Sequence, residues 1–88
     1  MALDDVLKDL GRRIAELRAA QELTQEQLAE RAEMTVQYLQ RVESGRENLT
    51  VKSLLRFGEL LDATIMDLFA RPASREARTG RPRRKPAI

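Results

Sequence analysis

The sequence predicts an all-α fold: a compact five-helix domain over residues 1–69, followed by a basic tail over 70–88. Three observations carry that prediction. No apolar–polar alternation of strand length occurs in the body, and apolar residues return instead at steps of three and four. Pro is absent from residues 2–71, so nothing interrupts a helix there. Thr stands ahead of four of the apolar stretches, where its hydroxyl can take a terminal N–H.

The elements follow in order. Leu3, Val6, Leu7, Leu10, Ile14 and Leu17 lay one stripe along a long first helix ending near Ala20–Gln21. Asp4, Asp5 and Asp9 match the preference for negative charge near a helix start. Thr24 with Gln27 forms a capping box for a short second helix, whose buried face is Leu28, Ala29 and Ala32. Thr35 caps a third helix, Val36 to Glu43, and Gly45 stands where a left-handed residue would end it. Asn48 and Thr50 open a fourth, with Val51, Leu54, Leu55, Phe57, Gly58 and Leu61 as its apolar face. Thr64 with Asp67 repeats the capping pattern before Ile65, Leu68 and Phe69, the fifth helix. Gly11 and Gly58 lie inside helices at a cost of ~1 kcal/mol each against Ala, which points to close backbone approach.

Composition narrows the function. Cys and His are both 0, which removes disulfides, the common zinc sites and the Ser-His and Cys-His hydrolytic arrangements. No enzyme, cofactor or metal is expected from such a chain. A membrane span needs a run of ~18 or more apolar residues, and none occurs. The N-terminus also lacks the layout of a signal peptide, so the expected location is the cytoplasm.

The segment of about residues 24–43 places two short helices either side of a turn, a helix-turn-helix with Ala29 small at the crossing. Leu28, Ala32, Met34, Leu39 and Val42 are read as inward-facing. The opposite side of the third helix then shows Val36, Gln37, Gln40 and Arg41. Gln37 and Arg41 are four apart and share a face. Their forked ends match base edges, Gln with adenine and Arg with guanine, and Val36 suits a thymine methyl.

Four further motifs join this pattern: Leu10-Gly-Arg-Arg-Ile-Ala-Glu-Leu-Arg18, Leu23-Thr-Gln-x-x-Leu-Ala29, Val42-Glu-Ser-Gly-Arg46 and Leu60-Leu-Asp-Ala-Thr-Ile-Met-Asp-Leu-Phe69. With them, Leu10 to Phe69 resembles the Cro and lambda-repressor type of helix-turn-helix, the XRE family of bacterial and phage regulators. Asn48-Leu-Thr-Val-Lys-Ser-Leu54 further resembles the small controller proteins of restriction–modification systems. The resemblance implies sequence-specific binding of double-stranded DNA by a homodimer on an inverted-repeat operator, with transcription as the process regulated. It implies phosphate contacts by Gln25 and Thr35, and by Ser44, Gly45, Arg46 and Asn48 through backbone and basic groups, with Tyr38 at the edge. It also implies an internal Arg18–Glu43 pair and a dimer interface through Leu61, Ile65, Met66 and Phe69. Leu3, Val6 and Leu7 are expected either to cover the core or to join that seam. Glu33 stands where the family usually has Gly, so a left-handed turn there costs ~1–2 kcal/mol; Leu49 replaces a frequent Pro.

Charge divides the chain. Residues 1–69 hold nine Lys/Arg against thirteen Asp/Glu, a net −4, whereas 70–88 hold seven against one, a net +6. The tail is read as disordered. Its segment 78–86 resembles an AT-hook around Gly80-Arg81-Pro82, with Arg78, Arg81, Arg83, Arg84 and Lys85 as DNA contacts. The other reading is a polycation that neutralises phosphates without sequence choice. Two further function classes stand beside the regulator: an antitoxin or other protein-interaction module with an autoregulatory helix-turn-helix, and an A/T-rich architectural binder acting mainly through the tail.

Overall fold

Four of the five helices begin at a Thr hydroxyl that accepts a backbone N–H. The computed structural model describes residues 2–73; the tail contacts Arg78, Arg81, Arg83, Arg84 and Lys85, and the AT-hook-like segment 78–86, lie outside them. The helices are α1 (Leu3–Ala20), α2 (Gln25–Ala32), α3 (Val36–Glu43), α4 (Val51–Leu61) and α5 (Ile65–Leu68). Thr24, Thr35, Thr50 and Thr64 accept from the N–H groups of Gln27, Tyr38, Ser53 and Asp67, each at 3.0 Å. Each bond satisfies a donor that the first turn of a helix leaves orphaned. At α2 and α5 the box closes both ways: the side chains of Gln27 and Asp67 accept from the Thr24 and Thr64 amides at 2.8 and 2.9 Å.

The ends of α1 to α4 share one geometry as well. Glu22, Glu33, Gly45 and Asp62 all have left-handed backbone, with φ of 58°, 59°, 81° and 56°. The next residue in each case returns its N–H to the carbonyl five positions back: Leu23 to Arg18, Met34 to Ala29, Arg46 to Arg41 and Ala63 to Gly58. This is the Schellman closure. The expected left-handed turn at Glu33 is therefore present, and two further acidic residues adopt the same conformation. In three of the four turns Thr follows two residues after the left-handed position, so one device links α1 to α2, α2 to α3, and α4 to α5.

Every helix feeds one core: Leu10 and Ile14 from α1, Leu28 and Ala29 from α2, Leu39 and Val42 from α3, Leu54, Phe57 and Leu61 from α4, and Leu68 from α5. No polar or charged residue is buried among the described residues. α1 packs on α3, α4 and α5, while α2 packs on α3 and α4. Met34 is partly buried against this core. An added Cβ on Gly11 would lie 2.4 Å from the Val42 carbonyl oxygen, so glycine lets α1 cross directly over the end of α3.

Two expectations are corrected here. Val51 and Leu55 are exposed, because at about 100° per residue they sit to one side of the Leu54–Phe57–Leu61 stripe. Leu61, assigned to a dimer interface, is 1% exposed; it belongs to that stripe and faces the monomer's own core. Along the N-terminal stripe, Leu3 is exposed, whereas Val6 and Leu7 are half-buried. Pro72, past the expected domain boundary at Phe69, is buried.

Candidate nucleic-acid interface

The outer face of α3 is defined by what the inner face buries. Leu39 and Val42 are buried, and the positions on the far side of the helix, Gln37, Gln40, Arg41 and Ser44, are exposed. Val36 and Tyr38 flank this arc and are partly buried against the core. The four base-reading candidates thus split: Gln37 and Arg41 project from the centre, Gln40 lies to one side, and Val36 lies low at the N-terminal end.

A polar network sets the angle at which α3 is presented. Glu43, at its last turn, accepts from Arg18 Nε at 2.7 Å and Nη2 at 3.1 Å. Arg18 also donates from Nη1 to the Leu23 carbonyl at 2.9 Å. Gln25 Nε2 donates to the other side of the network, reaching Glu43 Oε1 at 2.9 Å. One carboxylate therefore ties the end of α1, the start of α2 and the end of α3 together. The Arg18–Glu43 pair implied by the family resemblance is present, with side chains only 18% and 8% exposed.

The phosphate-contact candidates fare unevenly. Thr35 is exposed at the head of α3; its oxygen accepts from Tyr38 N–H, and its own hydroxyl proton is left for a ligand. Gln25 spends one amide N–H on Glu43 and accepts from Gln40 Nε2 at 3.4 Å, which retains one donor for a phosphate. Arg46 and Asn48 are exposed after the helix. The backbone donors expected from this loop are already used: Ser44, Gly45 and Arg46 give their N–H groups to the carbonyls of Gln40, Val42 and Arg41. Gly45 is also half-buried, with the space for a Cβ taken by Lys8 at 2.8 Å. Its geometry is that of a packing and turn residue whose N–H is already engaged. Ser44 donates its hydroxyl to the Arg41 carbonyl at 3.1 Å, leaving only lone pairs outward.

One residue on this surface was missed from sequence. Glu47 forms an ion pair with Arg41 Nη2. The two are six apart across a helix end, a spacing that no helical rule brings together.

No group of three or more metal-binding side chains occurs among the described residues, and no helix of the structure is long and apolar enough to cross a membrane. Fold and surface together define a helix-turn-helix DNA-binding domain of the transcription-regulator kind. The chain belongs to the helix-turn-helix domain family, whose model matches residues 9–69, and is of the XRE type. It is similar to the restriction-modification controller protein C.AhdI from Aeromonas hydrophila, with 35% identity over 74% of this chain and 97% of that one, and a TM-score of 0.66. The clp gene regulator ClgR from Corynebacterium glutamicum shares 27% identity over 72% of this chain and 67% of its own, at a TM-score of 0.68. The hypothetical transcription factor NHTF from Neisseria has the same fold, with a TM-score of 0.72 at 21% identity, covering 86% of this chain and 87% of its own. No curated protein matches the sequence.

Proposed function

We propose that the protein is a sequence-specific regulator of transcription that binds double-stranded DNA as a homodimer, inserting α3 into the major groove. One observation carries the reading: Gln37 and Arg41 stand together on the exposed arc of a helix whose end is clamped by the Glu43 network. A rigidly presented pair of forked side chains suits base-edge readout, with Gln37 on adenine and Arg41 on guanine. Gln40 and Val36 contribute at the margins. Thr35, Gln25, Tyr38, Arg46, Asn48 and the Ser44 oxygen border the arc where the backbone of the duplex would run, and the donors among them take phosphates.

Residues 1 to about 72 form the DNA-binding domain. The tail adds cationic charge that the body, at a net −4, lacks. Two copies reading half-sites about 34 Å apart roughly double the contact free energy. With Leu61 inside the core, the seam falls on Ile65, Met66 and Phe69 together with Leu55, which lines a shallow groove with Ile65. Met66 is 78% exposed, and Leu55 and Phe69 are also exposed, an apolar set that favours a partner. The similarity to the restriction-modification controller C.AhdI, matched over 97% of its length, supports a regulatory role. Cytoplasmic, nucleoid-associated action accords with this role.

Selection of bound duplexes from a random pool tests the proposal. An inverted repeat with half-site centres about one helical turn apart is the expected result. Gln37→Ala and Arg41→Ala should each cost ~1–3 kcal/mol of discrimination at one position of each half-site and leave melting unchanged. A pool in which no motif is enriched would sink the reading.

A further inference from the structure

The Arg41–Glu47 ion pair joins partners of unequal freedom. The Arg41 side chain is 59% exposed on the outward arc of α3, while that of Glu47 is 19% exposed in the loop that follows. Glu47 is thus the more enclosed partner and Arg41, on its longer stem, the more exposed one. The turn between them is closed by the Arg46 N–H on the Arg41 carbonyl at 2.8 Å and by the left-handed Gly45 seated on Lys8. This fixes the height of the carboxylate beside the recognition surface. Arg46 and Asn48, on either side of Glu47, are exposed, so a negative charge sits among the groups that approach phosphates.

We propose that Glu47 is a positioning residue that raises specificity by holding the Arg41 guanidinium away from the phosphate backbone. The inference rests on the major-groove reading of α3. On a non-operator duplex no guanine edge is aligned with Arg41, and its best alternative ligand is a phosphate oxygen within reach of its flexible stem. Glu47 competes for that charge and repels the phosphate as well. On the operator, a carboxylate that accepts from one of five guanidinium N–H bonds leaves four, enough for bidentate contact with guanine O6 and N7. The pair therefore opposes non-specific binding more than it opposes specific binding, which is how a charge set against the wrong partner creates discrimination.

The experiment uses the full chain and measures affinity for the duplex selected above and for a scrambled duplex at one salt concentration. It compares wild type, Glu47→Gln, Arg41→Ala and the double variant. Glu47→Gln keeps size and hydrogen-bonding capacity, and circular dichroism melting verifies the fold. Its affinity for scrambled DNA should rise about three- to fivefold, the scale of a partly exposed ion pair, with a smaller change on the operator and a lower specificity ratio. In the Arg41→Ala background the same substitution should leave that ratio unmoved. Equal changes on both duplexes, or an undiminished loss of specificity without Arg41, would overturn the role given to Glu47. The major-groove reading fails by a different sign: wild type showing no preference for a selected duplex at all.

Discussion

Arg18 and Glu43, twenty-five residues apart in sequence, meet in a two-pronged ion pair of 2.7 and 3.1 Å that is mostly screened from solvent. The carboxylate holds Gln25 as well, so one contact sets how α1, α2 and α3 are arranged. Removing Arg18 would leave a charge 8% exposed with only an amide to compensate it. Arg18→Ala should therefore lower unfolding free energy by about 3 kcal/mol, measured by urea denaturation. Replacing both partners by apolar residues of similar volume should cost less. If Arg18→Ala melts like wild type, the clamp is not what holds α3.

Gly11→Ala sets two effects against each other. Helix propensity alone would favour alanine by ~1 kcal/mol. The added methyl would lie 2.4 Å from one carbonyl oxygen and 2.6 Å from the next, and backbone cannot swing aside as a side chain can. Overpacking of ~1–3 kcal/mol should win, giving a lower midpoint in urea. A gain in stability would show that α1 and α3 can separate without loss.

Glu33→Gly should act in the opposite direction. Glu33 holds φ 59° and ψ 44°, a conformation that penalises any side chain by ~1–2 kcal/mol. Its one ion pair, to Arg56 at 3.6 Å, is solvent-exposed and contributes little. Glycine should raise the unfolding free energy by about 1 kcal/mol, or the melting temperature by about 4–8 °C for a domain of this size. DNA binding should not change.

Acid stability carries a signature of the α5 cap. The backbone hydrogen bond from Thr64, then the bond from its side chain, and finally the nearby Arg13 charge hold the Asp67 carboxyl below its usual range. The lowered folded value means that the contribution is full above the ordinary carboxylate titration and is lost as pH falls through the folded value. Melting temperature followed between about pH 5 and pH 1 should therefore fall less steeply in Asp67→Ala than in wild type. Parallel curves would remove Asp67 from the account.

Dimerisation is open to a surface test because its proposed seam is not part of the core. Leu55→Asp with Met66→Asp alters two exposed side chains and should leave melting of the monomer fold nearly intact. Sedimentation velocity should show a monomer, and operator affinity should fall by about tenfold or more as one half-site is lost. A variant that still sediments as a dimer would place the seam elsewhere.

Much of this molecule is written locally. The positions of Thr24, Thr35, Thr50 and Thr64 and the three-to-four spacing of Leu10, Ile14 and Leu17 mark helix starts and the long first stripe, because caps and periodicity act within one or two turns. The outward face of α3 is legible for the same reason, since Gln37 and Arg41 follow from the burial of Leu39 and Val42. What only the tertiary structure decided lies between elements. Leu61 and Met66 are both apolar in the last two helices, yet one is 1% and the other 78% exposed, depending on which neighbour covers each helix. Gly45 is required by the approach of Lys8 as well as by its own φ. The pairing of Arg41 with Glu47 arises from the path of a loop. Short-range hydrogen bonding can be read along a chain, whereas burial and charge pairing depend on distances that exist only once the helices have packed.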